Sequence, residues 1–284
     1  MSNFRVPVSA EFFPPKTEEG ARQILRTANA IKNFPLDMVS ITYGAGGSSR
    51  ERTIEYGELI QEIFNFNVMP HLTCVGHSKA ELNDILARFA EKGFSRIMAL
   101  RGDPPKDVAT FVQHPDGLAY ASDLISMIRQ THPNLKIACA AYPEKHPEAP
   151  SADFDIEMLK LKVKSGAQMA ITQLFFDNKV YFDFVKKCRV AGINIPIRAG
   201  IMPVLSLKQL RNFSTMCGCS IPQELEQKLT TANSEQEELK VGIEWAKAQI
   251  SELVENNVDG IHLYILNRVN SALELLNFLA SFSK

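Results

Sequence analysis

Short apolar runs recur along the chain, each closed by a turn and followed by a longer stretch in which apolar residues return at helical spacing. The runs Val6–Phe12, Asp37–Thr42, Asn67–Thr73, Arg96–Leu100, Lys136–Tyr142, Met169–Leu174, Pro196–Ile201 and Gly260–Tyr264 have strand length. Amphipathic patterns fill the gaps: Glu18–Asn33, Arg50–Phe64, Lys79–Lys92, Tyr120–Thr131, Asp153–Ser165, Lys179–Ala191, Leu207–Met216, Glu235–Asn256 and Arg268–Ser281. Strands alternating with helices predict parallel βαβ units. The economical arrangement of eight such units is an eight-stranded parallel (β/α) TIM barrel, an α/β fold whose closure removes sheet edges.

An open doubly wound sheet is the alternative. Its dinucleotide-binding form wants Gly-x-Gly-x-x-Gly after the first strand. That turn is absent, and the nearest match, Gly44-Ala-Gly-Gly-Ser-Ser49, follows the second run with different spacing. Ser234-Glu-Gln-Glu237 reads as a capping box opening the longest helix, with Val241, Trp245 and Ala248 on its buried face. Asn65-Phe-Asn67 and Gly192-Ile-Asn194 read as helix-to-strand turns. No solenoid repeat, low-complexity tract or linker divides the sequence, so residues 1–284 are expected to form one domain.

Barrels of this class build their sites at the carboxyl ends of the strands. Glu11, Thr42, Tyr43, His71, Thr73, Arg101, Asp103, Tyr142, His146, Gln173, Tyr264, Asn267 and Arg268 all fall there. Prolines freeze several of these loops, as in Glu11-Phe-Phe-Pro-Pro-Lys16, Leu100-Arg-Gly-Asp-Pro-Pro105 and Tyr142-Pro-Glu-Lys-His-Pro147. Convergence at one end points to an enzyme. Two readings fit Glu11: a structural partner for a basic residue, or a catalytic acid whose pKa is raised by the barrel interior. Arg101 and Asp103 either pair across Gly102 or face a ligand. His71 alone reads as a core histidine. Gln173 in a barrel wall needs a partner, because a buried amide costs free energy unless bonded. Gly44–Ser49 entering a helix suits a phosphate or carboxylate. Asp155 and Lys162 share a helical stripe that is either a solvated ion pair or a site.

Charge narrows the partners: 31 basic and 32 acidic side chains leave a formal net charge of -1, which gives no electrostatic reason to expect nucleic acid or an anionic membrane. The five cysteines are scattered, and buried inert thiols are expected at Cys74 and Cys139. His71, His146 and His262 with Asp103 have no metal-ligand spacing, and no Gly-x-Ser-x-Gly elbow occurs. The N-terminus has no signal-peptide core and no run reaches membrane-spanning length, so a cytosolic, cytoplasmic protein is expected.

From about Val8 to about Arg268 the chain resembles the bacterial methylenetetrahydrofolate reductases. The resemblance is carried by Glu11-Phe-Phe-Pro-Pro-Lys16, Thr42-Tyr-Gly-Ala45, Pro70-His-Leu-Thr-Cys74, Leu100-Arg-Gly-Asp103, Ala141-Tyr-Pro-Glu144, His146-Pro-Glu-Ala149, Ile171-Thr-Gln-Leu-Phe-Phe-Asp177, Gly200-Ile-Met-Pro-Val204 and Leu266-Asn-Arg268. It implies a barrel with non-covalent FAD that passes hydride from NADH or NADPH to 5,10-methylenetetrahydrofolate in ping-pong fashion, within methionine synthesis. By that resemblance Glu11 is the general acid and Asp103 lies near flavin and pterin. Thr42, Tyr43, Ala45, His71, Arg101, Gly102, Asp103, Tyr120, Ala121, Tyr142, His146, Asp155 and Lys162 contact FAD. Gln173 contacts the pterin, Gln209 and Arg268 lie towards the glutamyl end, and Phe213 stacks on substrate. A homo-oligomer is also implied.

The sequence departs from its relatives at three places. Met158 and Leu161 stand where some bacterial relatives carry Asn and Arg facing FAD, and Gly46-Gly-Ser-Ser49 replaces Asn-Ser-Gly-Glu. The S-adenosylmethionine-responsive domain of animal relatives has no counterpart here, so no inhibition by that metabolite is expected. Competing expectations are another barrel flavoenzyme, of the proline dehydrogenase kind, and a folate- or flavin-binding protein without turnover. Gln173, Phe213 and Arg268 argue against the first, Glu11 and Asp103 against the second.

Overall fold

The computed structural model describes residues 4–43, 50–103 and 112–282. Eight strands, β1 (Val8–Phe12), β2 (Met38–Ile41), β3 (Val68–Thr73), β4 (Arg96–Leu100), β5 (Lys136–Ala141), β6 (Met169–Thr172), β7 (Ile197–Ile201) and β8 (Ile261–Tyr264), close into one barrel in sequence order. Every neighbouring pair is parallel, and β1 pairs with β8 to complete the ring. The expected TIM barrel is therefore the fold, and the open sheet is not.

Helices α1 (Glu18–Ile31), α2 (Arg50–Phe64), α3 (Lys79–Glu91), α4 (Ala121–Thr131), α5 (Ala152–Ser165), α6 (Asn178–Val190), α7 (Leu207–Cys217), α8 (Gln223–Thr230), α9 (Glu235–Glu255) and α10 (Val269–Ala280) surround it. Helix α8 escapes the sequence pattern because it is eight residues long and mostly polar, with only Leu225 and Leu229 buried. Three details differ from expectation. On α9 the buried face runs through Gly242, Ala246, Gln249 and Leu253, one position round from Val241 and Trp245, and Ala248 is exposed. Gly242 sets that rotation: a Cβ there would sit 1.9 Å from the Val204 carbonyl, so the helix presses its bare backbone against the loop after β7. Ser234 does cap Glu237 N, but the Glu237 carboxylate reaches back to Asn233 N at 2.7 Å instead of closing the box on Ser234.

Strand alternation sorts the side chains into two cores. Val8, Ala10, Phe12, Val39, Ile41, Leu72 and Ile97 face outward into the main core beneath the helices. Inside the barrel, Met38, Met69, Met98, Ala138 and Ile171 form a separate cluster. Unbranched methionine fills an irregular interior well. Arg198 on β7 also lies inside, 6% exposed, forked onto both Asp37 carboxylate oxygens, so the positive charge is paired. The interior turns polar near the carboxyl ends, where Ser9, Glu11, Ser40, His71, Thr73 and His262 are all buried. A polar group there costs free energy unless partnered.

Candidate active site

Glu11 is the centre of the polar end. Its register partners are Ser40 on β2 and Tyr264 on β8. Two imidazoles converge on a single carboxylate oxygen: His71 Nε2 lies 3.4 Å and His262 Nε2 3.5 Å from Glu11 Oε2. Ser40 Oγ donates to the same oxygen at 3.4 Å. Ser9 Oγ lies 2.8 Å from His262 Nδ1 and 3.4 Å from the Ile261 carbonyl. Tyr264 stands edge-on to His262, ring centroids 5.2 Å apart, and its hydroxyl donates to the Thr172 carbonyl at 2.7 Å. The phenol crosses β7 where that strand carries Gly200; a Cβ there would meet Tyr264 Cε2 at 2.7 Å and Thr172 O at 2.4 Å.

The electrostatics correct one expectation. Burial pushes the Glu11 carboxyl up, but the His262 hydrogen bond, electrostatic interaction with the His71 and His262 rings, and Ser40 together outweigh it and hold the carboxyl below its ordinary value. The expected raised acid is thus a lowered one. His71 moves the other way: burial pulls it down to about 4, against the opposing pull of Glu11, so it is neutral at neutral pH. His71 Nε2, His262 Nε2 and Thr73 Oγ1 are buried without a well-formed hydrogen bond among the described residues.

A second group lines the rim above β4 and β5. Arg101 forks onto Glu148 at 2.5 and 2.9 Å, and the Asp103 charge acts on it more weakly. Gly102 (φ +89) is tucked over β3, where a Cβ would lie 2.6 Å from Val75 Cγ1 and 2.8 Å from Thr73 Cβ. Tyr142 and His146 meet edge-to-face, centroids 4.7 Å apart. Asp155 and Lys162 do not form the helical ion pair. Asp155 instead accepts from His146 N at 2.8 Å, and Lys162 Nζ donates to the Ala140 carbonyl at 2.9 Å while lying 5.8 Å from the Tyr142 ring centroid. Both side chains therefore brace the loop after β5. Asp103 is exposed at the rim.

The other expected residues spread around the same end. Thr42 follows β2, and its carbonyl accepts from Thr53. Tyr43 is buried against His77, O to Nε2 3.1 Å. Ala45 and the turn Gly44–Ser49 lie outside the described residues. Tyr120 caps α4 and is 62% exposed, and Ala121 after it is buried. Gln173 Oε1 accepts from Leu174 N at 2.9 Å, and Gln209 Oε1 from Leu205 N at 2.7 Å. Each amide thereby fixes its own loop. Phe213 packs on the cluster around Met202 and Leu210, and Arg268 is the exposed N-cap residue of α10. Asn267, in the same block, clamps the loop after β1: its side chain donates to Phe13 O at 2.8 Å and accepts from Phe13 N at 3.1 Å.

Sequence reasoning missed Ser9, Ser40 and the pairing role of His262. Period-two alternation with Glu11 marks Ser9 as inward-facing, but only barrel closure brings β8 beside β1. Met158 is half-buried and Leu161 is exposed on α5, in line with Phe154, which is also exposed.

The chain matches known proteins along nearly its whole length. A sequence model described as methylenetetrahydrofolate reductase matches residues 2–280. A 5,10-methylenetetrahydrofolate reductase of Pectobacterium carotovorum is 37% identical over 265 residues, which is 93% of this chain and 87% of that one. The Escherichia coli K12 protein of the same description gives the same figures. "Methylenetetrahydrofolate reductase (NADH) 1" of Arabidopsis thaliana is 35% identical over 279 residues, 94% of this chain and 47% of that one; the chain spans about half the length of such plant relatives. Among solved structures, an uncharacterized protein from Clostridium thermocellum, described as binding two copies of 5-methyl-5,6,7,8-tetrahydrofolic acid, has a TM-score of 0.72 at 18% identity, covering 97% of this chain and 94% of that one. At that identity the likeness speaks for the barrel alone.

Proposed function

The chain belongs to the methylenetetrahydrofolate reductase family, and from that premise we propose that it reduces 5,10-methylenetetrahydrofolate to 5-methyltetrahydrofolate. NADH or NADPH is the electron source, non-covalent FAD the relay, and the two substrates take turns in one site. The product would supply methyl groups for methionine synthesis. The observation that carries this reading is the buried Glu11 carboxyl at the carboxyl end of the barrel, with two imidazoles on one of its oxygens. The rest of the interior is mostly apolar, with Met38, Met69, Met98, Ala138 and Ile171 packed together, so this cluster stands apart from it.

FAD fits the residues at the rim. The buried Thr73 hydroxyl has no hydrogen bond among the described residues, and Arg101 and Lys162 supply cations near the Tyr142 and His146 rings. Thr42, Tyr43, Ala45, His71, Arg101, Gly102, Asp103, Tyr120, Ala121, Tyr142, His146, Asp155 and Lys162 would hold it. Bound FAD supplies the hydride chemistry; the protein supplies position, proton and field. Glu148 holds the Arg101 guanidinium at the rim through two of its five N–H groups. Lys162 already faces the rim from α5 and can meet a phosphate without refolding. Met158 and Leu161 offer no charge there.

Glu11 would protonate a ring nitrogen of the folate so that the imidazolidine opens to an electrophilic iminium. Asp103, exposed at the rim, would favour the positive charge that develops. Gln173 would read the pterin, Phe213 would stack on substrate, and Gln209 and Arg268 would meet the glutamyl end.

Anaerobic absorbance titration tests the proposal. The purified protein loaded with FAD should bleach with NADH or NADPH and recolour with methylenetetrahydrofolate. A protein that takes up no FAD sinks the reductase reading and favours a binding role; bleaching without recolouring keeps the flavoenzyme and discards the folate.

A further inference from the structure

The loop of residues 74–78, between β3 and α3, supplies none of the expected site residues, yet it touches three segments that do. On one side it carries the β3–β4 pairing past the strand ends. Cys74 N donates to the Leu100 carbonyl at 3.2 Å and Val75 N to the Arg101 carbonyl at 3.0 Å, which fixes the backbone bearing Arg101 and Gly102. On a second side Ser78 forms an antiparallel bridge with Gly117, and Lys79 N donates to the Asp116 carbonyl at 2.9 Å. The segment leading into Tyr120 and Ala121 is thereby held at the start of α3. On the third side His77 reaches Tyr43 after β2, with Nε2 3.1 Å from the phenol oxygen and the rings edge to face, centroids 6.0 Å apart.

Local structure makes His77 a firm anchor. Its neighbour Ser78 closes a capping box on α3: Ser78 Oγ accepts from Glu81 N at 3.2 Å, and Ser78 N donates to Glu81 Oε2 at 2.8 Å. His77 is 7% exposed and Tyr43 8%. A hydrogen bond between two groups this buried is stronger than one in water.

The chemistry of the pair sets the direction of that bond. Burial lowers the His77 imidazole; Glu81 of α3 opposes it, while Arg50 of α2 and His114 add to it, each more weakly. The ring is therefore neutral at neutral pH, with one N–H and one lone pair. Burial pushes the Tyr43 phenol up, so it keeps its hydrogen. Between these neutral groups the phenol is the stronger donor and the imidazole nitrogen the stronger acceptor. Tyr43 donates to Nε2, and His77 carries its own hydrogen on Nδ1.

We propose that His77 is a positioning residue of the dinucleotide seat: by accepting the Tyr43 hydroxyl it fixes the Tyr43 ring, while its loop holds the Arg101–Gly102 and Tyr120–Ala121 segments in register with that ring. His77 itself touches no ligand. Because the protein engages the Tyr43 hydroxyl, the ring and main chain of Tyr43 are what remain for the dinucleotide. A ring already fixed costs less to order on binding. The cofactor role rests on the reductase reading; the hydrogen bond does not.

The bond is tested on the purified full chain without FAD. Heteronuclear NMR of protein labelled at the histidine rings, with His77 assigned by the signals lost in His77→Gln, should show Nδ1 protonated and Nε2 bare at neutral pH. Tyr43→Phe, which deletes only the hydroxyl, should shift the ring hydrogen toward Nε2. A wild-type ring protonated at Nε2, or a ring unchanged by Tyr43→Phe, overturns the proposal whatever the protein binds.

The cofactor role is read as the FAD dissociation constant, by flavin fluorescence. His77→Phe, which keeps a ring and removes the acceptor, should raise it about three- to tenfold, the worth of one ordinary hydrogen bond. Tyr43→Phe should do the same, and the double variant should lose no more than either alone, since both remove one contact. His77→Gln should recover most of the affinity, because its amide oxygen can accept the hydroxyl. Additive losses, or no recovery in His77→Gln, would make His77 merely structural. Should His77→Phe fail to fold, Tyr43→Phe decides: an unchanged dissociation constant refutes the positioning role. A wild type that takes up no FAD sinks the reductase reading and the cofactor role with it, whereas a wild type that binds FAD as tightly as its variants sinks the positioning role alone.

Discussion

Gly200→Ala probes the link between fold and site most directly. Its Cβ would lie 2.4 Å from the Thr172 carbonyl and 2.7 Å from Tyr264 Cε2, so both must give way, by roughly 1 Å in all, to reach ordinary contact. Thr172 O belongs to the β6 backbone and accepts from the Tyr264 hydroxyl. Relieving both contacts shifts β6 or β7 and breaks or strains that hydrogen bond. Overpacking costs about 1–3 kcal/mol and the lost hydroxyl bond about 1 kcal/mol, so the variant should be less stable by about 2–4 kcal/mol. Urea unfolding should show a lower midpoint with an unchanged slope, since the exposed surface on unfolding is the same. Displacing Tyr264 also frees the edge of His262, so the folate half-reaction should suffer more than flavin reduction. A loss below about 0.5 kcal/mol, within the range of ordinary surface substitutions, would refute the claim that Gly200 exists to let the phenol cross.

Further outcomes follow from the site. Glu11→Gln should abolish folate reduction, a loss of at least about 10²-fold, while nicotinamide-to-flavin transfer in stopped-flow absorbance stays largely intact; equal loss in both would make Glu11 structural. Lys162→Ala should raise the FAD dissociation constant several-fold, about 1 kcal/mol for a charge-assisted contact at the rim, read by flavin fluorescence on ultrafiltration. Unchanged retention would remove Lys162 from the diphosphate site. Stability should fall on acidification. His71 is depressed to about 4, so the unfolded chain binds its proton first, and stability present above about 6.5 is lost as pH drops toward that value. Glu11, also depressed, adds loss in the same direction below its unfolded pKa of 4.5. Urea midpoints at about pH 7 and about pH 5 measure this, and His71→Asn should flatten the difference; an equal drop in that variant would assign the effect elsewhere.

The eight alternations and most element boundaries are legible in the sequence, because strand and helix periods are local properties of adjacent side chains. Arg96–Leu100 and Arg50–Phe64 coincide with the observed elements. So is the inward direction of Glu11, which follows from its place between outward Ala10 and Phe12. Helix α8 was not legible, since two leucines in eight residues make too weak a pattern. The rotation of α9 was not either, because it depends on the Val204 carbonyl pressing on Gly242.

Local periodicity sets eight alternations of strand and helix and gathers polar residues after the strands. What those residues meet depends on contacts made across the closed barrel. Ring closure places β8 beside β1, which sets His262 against Glu11 across an interval of the chain that no periodicity spans. The same closure turned Arg101 to Glu148 and Lys162 to the Ala140 carbonyl, where the sequence offered Asp103 and Asp155 as nearer partners. It also reversed the expected direction of the Glu11 titration. Burial is readable from a strand's pattern, but the charge and hydrogen bonds that oppose it come from strands brought together in space.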